Sequence, residues 1–494
     1  MIAVLASTLL VLHLDFNTIQ MKKAAVVDCL REVAGMGYNA VLWEIENKVR
    51  WKTCPECVDP EAFSKDEFRQ ILAEADRLGL EPIPLMQTFG HAEYVLRHEK
   101  YADWKESSSN LACYCVSRPE VLAFQKTLLK EYLDLFGGRV RRFHLGGDEA
   151  LAFGTCPRCR AFDKMDLYIR HLNAVSEELV AKGIRPGVWA DMVLMGGDWK
   201  NHDKEDLADD ALQKLPRNFT LWNWDYSYGA GTKNGNAAAT PRLTKLGCEV
   251  MLSASSQSAI DGPFMPQFKA HRDNIAACAA DVRAQKLAGF CVTSWSVHLY
   301  PKTLQYPLWE FAARRLINPS EDAEADFAAI VRKRWGDIPV DVLDKLSVWK
   351  RDYSRFDTRI WGYEKPARPA TPGLLAERLG KVDAGKGRQR ILDMAREDLQ
   401  TLEKAVAELG RDARPARPRS CRTHDPTTLA TAGELSSAFL SQMIAALENR
   451  SADGAASAMQ KAERYYSTFQ APQSAKNAAR LAWSVLQQGE IRTE

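Results

Sequence analysis

The chain has almost no net charge: 66 lysines and arginines against 64 aspartates and glutamates leave +2 over 494 residues. That balance offers no broad field to a nucleic acid or an acidic partner. Long apolar runs are also missing. Residues 1–12 could pass for the apolar core of a signal peptide, but no basic residue precedes them and no cleavage site follows before His13-Leu14-Asp15. The second half of this run reads as a first strand, and no other run approaches the length that crosses a membrane. No glycine-rich loop opens a helix as a nucleotide phosphate would require, and no internal repeat is present. What the chain does have is an ordinary globular balance, 46% hydrophobic and 26% charged residues. It also has eleven cysteines, four of them in Cys-Pro-x-Cys pairs, a pattern of reduced thiols and metal rather than disulfides. The expected compartment is the cytoplasm.

Apolar runs alternate with amphipathic stretches from residue 10 to 317. Strands are expected at 10–15, 40–46, 81–88, 142–147, 185–191, 220–224, 249–254 and 288–295. Helical patterns lie between them at 21–34, 64–78, 119–136, 163–182, 238–246 and 267–285, with a last one near 307–317. Gly35, Gly79, Gly137, Gly183 and Gly247 stand as C-caps. Eight strands alternating with helices predict an α/β chain whose first part is a (β/α)8 barrel. Beyond residue 320 the pattern is helical only. Leu392, Ala395, Leu399, Leu402, Val406 and Leu409 keep one seam, and further helices are expected near 435–447, 455–466 and 475–486. The division expected is a catalytic barrel over 1–318 and an all-α C-terminal domain over 319–494. The tail either packs on the barrel or makes an oligomer contact, such as a homodimer. The basic, proline-broken stretch 411–422 reads as a solvated loop.

A barrel puts its chemistry at the C-terminal ends of its strands. There the sequence offers His13 and Asp15, Glu44 and Glu46, Gln87 with His91 and Glu93, and then Asp148 and Glu149. Trp189 and Asp191, Trp222, Trp224 and Tyr226, and Trp295 with His298 follow on the later strands. One tryptophan alone reads as core. Several on one rim around an acid pair read as a wall for a sugar ring, which needs apolar faces and hydrogen-bond partners. The centre of the pattern is Arg141-Arg142-Phe143-His144-Leu145-Gly146-Gly147-Asp148-Glu149. By alternation His144, Gly146 and Asp148 share a face, and Glu149 comes where the pleat ends. Two carboxyls so close cannot both ionise freely, so one holds its proton toward neutral pH. The same residues also read as a helix start, with Asp148 as N-cap.

The two Cys-Pro-x-Cys pairs, Cys54/Cys57 and Cys156/Cys159, follow strands 2 and 4, whose loops open on one face of a barrel. They are expected to meet around a closed, structural four-thiolate zinc, with Cys113 and Cys115 as alternative ligands. Unligated thiols are the competing reading.

Taken in order, Gln87-Thr-Phe-Gly-His-Ala-Glu93, His144-Leu-Gly-Gly-Asp-Glu149, Trp189-Ala-Asp-Met192 and Thr293-Ser-Trp-Ser296 make residues 10–317 resemble the family 20 glycoside hydrolases, the β-N-acetylhexosaminidases. More narrowly they resemble the compact branch typified by hexosaminidase D. The resemblance implies a retaining mechanism without a cofactor, in which the substrate's own 2-acetamido carbonyl is the nucleophile and forms an oxazolinium. Carried over by position, Glu149 is general acid and then base, and Asp148 holds the acetamido N–H. Trp189, Trp222 or Trp224, and Trp295 would cage the acetamido methyl. The substrate implied is a glycan ending in β-linked GalNAc or GlcNAc, with a tilt to GalNAc and with Asp15, Glu44 and His298 as candidate readers of O4. Two positions depart from the family pattern. Asp15 is followed by Phe16-Asn17 rather than arginine, and the strand 7 tip, Leu252-Ser-Ala-Ser-Ser256, has no tyrosine, leaving Tyr226 as a substitute. Two other readings stay open: a glycosidase with its own nucleophile, Asp191 or Glu46, on a sugar without the acetamido group, and a non-catalytic glycan-binding barrel.

Overall fold

The structure is a computed structural model and describes residues 8–17, 19–108, 110–198, 200, 214, 216–229, 236–245, 247–350, 353, 386–412, 426–448 and 455–484. Its centre is a closed barrel of eight parallel strands, β1 (Leu9–Asp15), β2 (Ala40–Glu44), β3 (Glu81–Leu85), β4 (Arg142–His144), β5 (Arg185–Trp189), β6 (Thr220–Trp224), β7 (Glu249–Gln257) and β8 (Gly289–Ser294). Each strand pairs with the next in the chain, and β8 closes on β1 with Val11 opposite Cys291. The joint between β3 and β4 is the narrowest, a single pair of Leu85 with His144.

Alternation divides every strand between two environments. Leu10, Leu12 and Leu14 face the surrounding helices, as do Val41 and Trp43, Phe143 and Leu145, and Phe290 and Val292. The other face fills the lumen: Leu9, Val11, Ala40, Leu42, Ile83, Leu85, Trp189, Trp222, Met251 and Cys291 form one apolar plug. Following the same period upward, Val11 gives way to His13 and Asp15, Leu42 to Glu44, and Leu85 to Gln87. The sequence thus stops filling the barrel and starts lining a cavity at one level.

The surrounding helices are α1 (Lys23–Met36), α2 (Lys65–Arg77), α3 (Pro119–Phe136), α4 (Lys164–Ala181), α5 (Thr240–Lys245), α6 (Phe268–Gln285) and α7 (Tyr306–Ile317). Their starts are written locally. Ser64 and Glu67 form a reciprocal capping box on α2, and Asp163 caps α4 by accepting from the Asp166 N–H. Helix α1 departs from expectation: it runs through Gly35 and is capped at Gly37, which has φ 100°. Four expected strands also end two or three residues early, at Glu44, Leu85, His144 and Trp189. At two of these tips the backbone then turns through left-handed φ, at Glu46 and at Gly146 and Gly147, and leaves the ladder. β7 instead runs on to Gln257.

The loop after β3 contains a hairpin, Lys105–Ser107 paired with Asn110–Tyr114, which the sequence pattern does not announce. After α7 the described chain is helical: α8 (Ala323–Trp335), α9 (Val340–Leu346), α10 (Lys386–Asp412), α11 (Pro426–Leu447), α12 (Ala455–Ser467) and α13 (Pro472–Ser484). These helices pack on the barrel. The Tyr466 hydroxyl donates to the Pro263 carbonyl, Gln470 Nε2 donates to the Leu299 carbonyl at 2.7 Å, and the Ala471 N–H donates to the Gln20 carbonyl at 2.8 Å. Positions 413–422 of the basic stretch lie outside the described residues. No helix among the described residues is long and apolar enough to cross a membrane.

Candidate active site

The acid pair sits where β4 ends. Gly146 and Gly147, at φ 65° and 89°, swing the chain across the mouth of the barrel. Side chains have no room there: a Cβ on Gly146 would lie 2.0 Å from Gln87 Oε1, and one on Gly147 2.5 Å from the Tyr168 hydroxyl. That hydroxyl donates to the Gly147 carbonyl at 3.1 Å, fixing the turn from outside the barrel. Glu149 follows with φ 42°, a left-handed conformation that costs a side-chain-bearing residue energy. The described non-glycine residues with positive φ are Glu46, His91, Glu149 and Lys286, and three of these four stand at this mouth.

His91 stands between the two acids. Its Nε2 is 3.4 Å from Asp148 Oδ2 and 3.7 Å from Glu149 Oε2. Burial pushes the Asp148 carboxyl up, but the charge and hydrogen bond of His91, with a hydrogen bond from Gln87, outweigh it and hold the group below its ordinary value. Glu149 goes the other way: burial raises it, the Asp148 charge adds to that, and His91 offsets only part. His91 itself is desolvated, yet its acidic neighbours hold its pKa well above the usual value. One site thus contains two adjacent carboxyls displaced in opposite directions, Asp148 below and Glu149 above the ordinary value.

The surrounding residues hold that arrangement. Gln87 Nε2 donates to Glu44 Oε1 at 2.9 Å and to Asp148 Oδ1 at 3.2 Å, while its Oε1 accepts the Gly147 N–H. Glu44 also meets His13 Nε2 at 2.9 Å. Asp15 accepts from the backbone N–H groups of Asn17 and Ser296, tying the β1 tip to the β8 tip. Burial, followed by the charges of neighbouring acids, raises Asp15 to about 6 and Glu44 to about 7, and raises Glu46 well above its ordinary value. Asp191 accepts the Glu149 N–H at 2.9 Å and the indole N–H of Trp224 at 3.4 Å. Burial and the Asp148 charge raise it to about 8, so it serves as a neutral brace behind the acid pair. His13 and His144 are driven down by burial, to about 4 and about 3, and are neutral imidazoles.

The aromatic residues separate into floor and wall. Trp189 and Trp222 are fully buried and pack edge-to-face at 6.1 Å in the lumen plug, with His144 against both. Trp224, Tyr226 and Trp295 keep part of their surface open. Trp224 stacks on Tyr226 at 5.2 Å, and the Trp295 indole N–H donates to the Tyr226 hydroxyl at 2.6 Å. Of the two tryptophans expected from β6, Trp224 therefore has ring face to offer. His298 lies within electrostatic reach of Asp261, whose carboxylate takes His271 and the Tyr300 hydroxyl. Glu93 opens the short helix Glu93–Leu96, within electrostatic reach of His91 and Glu46. Ser255, His271 and Asp261 form a chain at 3.1 and 2.8 Å that resembles a nucleophile relay, but all three are fully buried and brace the loop after β7.

The cysteines group otherwise than expected. Cys156 and Cys159 meet Cys115 and Glu106, all four buried. Cys54 and Cys57 are not in that group; they hydrogen-bond to one another beside Tyr101 and Tyr114. The four-thiolate set Cys54, Cys57, Cys156 and Cys159 is therefore not assembled. The hairpin places Cys115 and Glu106 over the loop after β4, and the loop after β2 turns aside as a 3-10 turn at Pro55–Cys57. Glu106 was invisible to the cysteine spacing.

Comparison with known proteins agrees with this geometry. The chain is 26% identical over 300 residues to bovine (Bos taurus) hexosaminidase D, covering 57% of this chain and 83% of that protein. It is 26% identical over 299 residues to human (Homo sapiens) hexosaminidase D, of which it spans 59%. Among solved structures, the fold is shared with a chitobiase of Flavobacterium johnsoniae at TM-score 0.53 and 15% identity, over 95% of this chain and 77% of that one. It is also shared with a β-N-acetylhexosaminidase of Bacteroides fragilis at TM-score 0.51 and 17% identity, over 66% and 70%. The catalytic domain of glycosyl hydrolase family 20 matches residues 43–309, more than half of the chain, and the protein belongs to that family of glycoside hydrolases.

Proposed function

We propose that this chain is an exo-acting β-N-acetylhexosaminidase that releases terminal β-linked GalNAc or GlcNAc with retention. The attacking atom is the acetamido oxygen of the substrate. The observation that carries this reading is one histidine set 3.4 and 3.7 Å from two adjacent carboxyls, of which Asp148 is held below its ordinary value and Glu149 is raised above it by burial. Glu149, the more readily protonated of the two, donates a proton to the glycosidic oxygen as that bond breaks. Asp148, held ionised, accepts the acetamido N–H and faces the positive charge that grows on the oxazolinium. Water then opens the ring and gives its proton to Glu149. The remaining carboxylates are ill suited to attack. Asp191 has both oxygens occupied and keeps its proton to about 8, and Glu46 is buried, neutral, and accepts from Asn17 Nδ2.

Trp224 and Trp295 would form the open walls for the acetamido group, over the floor of Trp189 and Trp222, and Tyr226, in contact with both walls, is the candidate for the acetamido oxygen. The substrate reading tilts to GalNAc, with Asp15, Glu44 and His298 as the candidate readers of O4. In this reading the barrel over 1–318 is the catalytic unit and 319–494 is a second domain, whose described helices are braced against it. The ten described cysteines are all free, which favours a reducing compartment such as the cytoplasm.

Chromogenic β-GalNAc, β-GlcNAc, β-galactoside and β-glucoside substrates test the reading. Turnover is expected only with the two acetamido sugars. Turnover confined to the plain sugars, or a glycosyl ester trapped on any carboxylate, would transfer the mechanism to an enzyme nucleophile. No turnover of any substrate would favour a glycan-binding barrel.

A further inference from the structure

Three thiols and one carboxylate share a buried space beside the active-site loops. Cys115 Sγ lies 3.4 Å from Cys156 Sγ and 3.7 Å from Cys159 Sγ. Together with a Glu106 oxygen, the ligand atoms all fall within 4.8 Å of one another. These separations are far beyond a disulfide bond of about 2.0 Å. They match the spacing of two sulfurs on one tetrahedral ion: at a metal–sulfur distance of about 2.3 Å the edge of the tetrahedron is about 3.8 Å.

The backbone presents the group as a preformed claw. Cys156-Pro-Arg-Cys159 closes a tight turn, with the Cys159 and Arg160 N–H groups both donating to the Cys156 carbonyl, which brings both sulfurs to one side. Glu106 arrives from the hairpin and is oriented by the N–H groups of Cys156 at 2.8 Å and Gly154 at 3.2 Å. Those contacts use part of its acceptor capacity and leave lone pairs for a cation, as supporting hydrogen bonds around metal ligands do. Ser117 Oγ lies 3.1 Å from Cys159 Sγ, where its hydroxyl can donate to a thiolate.

We propose that Glu106, Cys115, Cys156 and Cys159 bind one closed, four-coordinate structural zinc ion that fastens the hairpin after β3 to the loop after β4. Thiolate-rich, tetrahedral and without an open position, the set suits zinc better than the harder, higher-coordinate magnesium or calcium. The three thiols release their protons to solvent as the ion binds. The pair Cys54/Cys57, with the same spacing, belongs to no such group among the described residues and is the internal control.

The site ties together the two segments that carry the acid–base groups. Cys156 and Glu149 belong to one loop. The hairpin carbonyl of Ala112 accepts the Ala92 N–H at 2.9 Å, next to His91, and the Tyr114 N–H donates to the Phe89 carbonyl at 3.0 Å. The ion would hold His91 and Glu149 in register without touching substrate.

Elemental analysis of the full chain, purified with reductant and without chelator, is expected to give about one zinc per chain. Cys115→Ala and Cys156→Ser should each lose it, and Cys54→Ser should keep it. Glu106→Gln should release zinc to a chromogenic chelator at least about tenfold faster. Cobalt exchanged into the wild-type chain should show sulfur-to-cobalt charge transfer and tetrahedral visible bands, a readout that needs no variant to fold. Absence of stoichiometric metal, zinc retained in both Cys115→Ala and Cys156→Ser, or an intact mass lighter by the two hydrogens of a Cys115–Cys156 disulfide would each overturn the assignment. Wild-type retention in Glu106→Gln would remove the carboxylate from it. Metal content is measured apart from turnover, so its failure leaves the glycosidase reading untouched.

Discussion

The two ends of the barrel lumen are made from the same strands with the same alternation, and they do opposite work. The lower layers hold Leu9, Val11, Leu42, Ile83 and Met251, close-packed and without a charge among them. Above them the strand tips and the turn after β4 present His13, Glu44, Gln87 and Asp148, four polar side chains bonded in a continuous chain. The lower layers gain stability by excluding water, while the upper layer surrenders some of it to keep carboxyls and a histidine dry. A lesion below should cost folding; a lesion above should cost chemistry and leave folding nearly intact.

Glu149→Gln sets the upper extreme. Turnover of substrates with poor leaving groups should fall by about 10²–10⁴-fold, while activated aryl glycosides lose less. Asp148→Asn should be slow even with activated aryl glycosides, because the charge that would support the proposed oxazolinium is gone, and azide should not rescue it. Thermal melts of both variants should stay close to wild type; a collapse of either would show that the upper layer also carries the fold. Ile83→Ala sets the lower extreme, an expected loss of about 2–5 kcal/mol in chemical denaturation with kcat per folded molecule unchanged.

His91→Asn gives a subtler effect, chosen because asparagine tolerates the φ of 48° found there. The His91 cation lowers both Asp148 and Glu149, so its removal should raise both. The proposed mechanism needs Asp148 ionised and Glu149 protonated, which makes Asp148 the acid limb of kcat/KM and Glu149 the alkaline limb. Both limbs should move to higher pH in the variant, and a profile that stays in place or moves to lower pH would separate His91 from the acid pair. Trp224→Ala is expected to be the smallest lesion. Loss of one stacking wall should weaken binding of a thiazoline mimic of the intermediate by about 1 kcal/mol, roughly fivefold, with little change in the melting temperature.

Much of this contrast was legible in the chain. Alternation along β1 and β2 separates outward leucines from inward His13, Asp15 and Glu44, and His144-Leu-Gly-Gly-Asp-Glu149 marks its own strand, turn and acid pair. The rest was hidden for physical reasons. Left-handed backbone at Glu46, His91 and Glu149 belongs to residues that do not advertise it, since tertiary contacts rather than local preference impose it. Lys105 to Tyr114 is too polar and short to read as paired strands, so the partner that brings Glu106 and Cys115 to Cys156 and Cys159 could not be foreseen from cysteine spacing. Trp189 and Trp222 sit at strand tips like Trp224, and only closure of the barrel makes them floor rather than wall.

The helices after α7 have a consequence for how far this chain can be shortened. Their bonds end on Gln20, Pro263 and Leu299, in the loops that follow β1, β7 and β8, and the Lys22 N–H reaches back to the Phe469 carbonyl at 2.8 Å. A fragment stopped at the last barrel helix would strip partners from three of the loops that rim the mouth and bare the apolar seam beneath Tyr465 and Tyr466. A cut after α7 is therefore expected to loosen the mouth of the barrel as well as to shorten the chain.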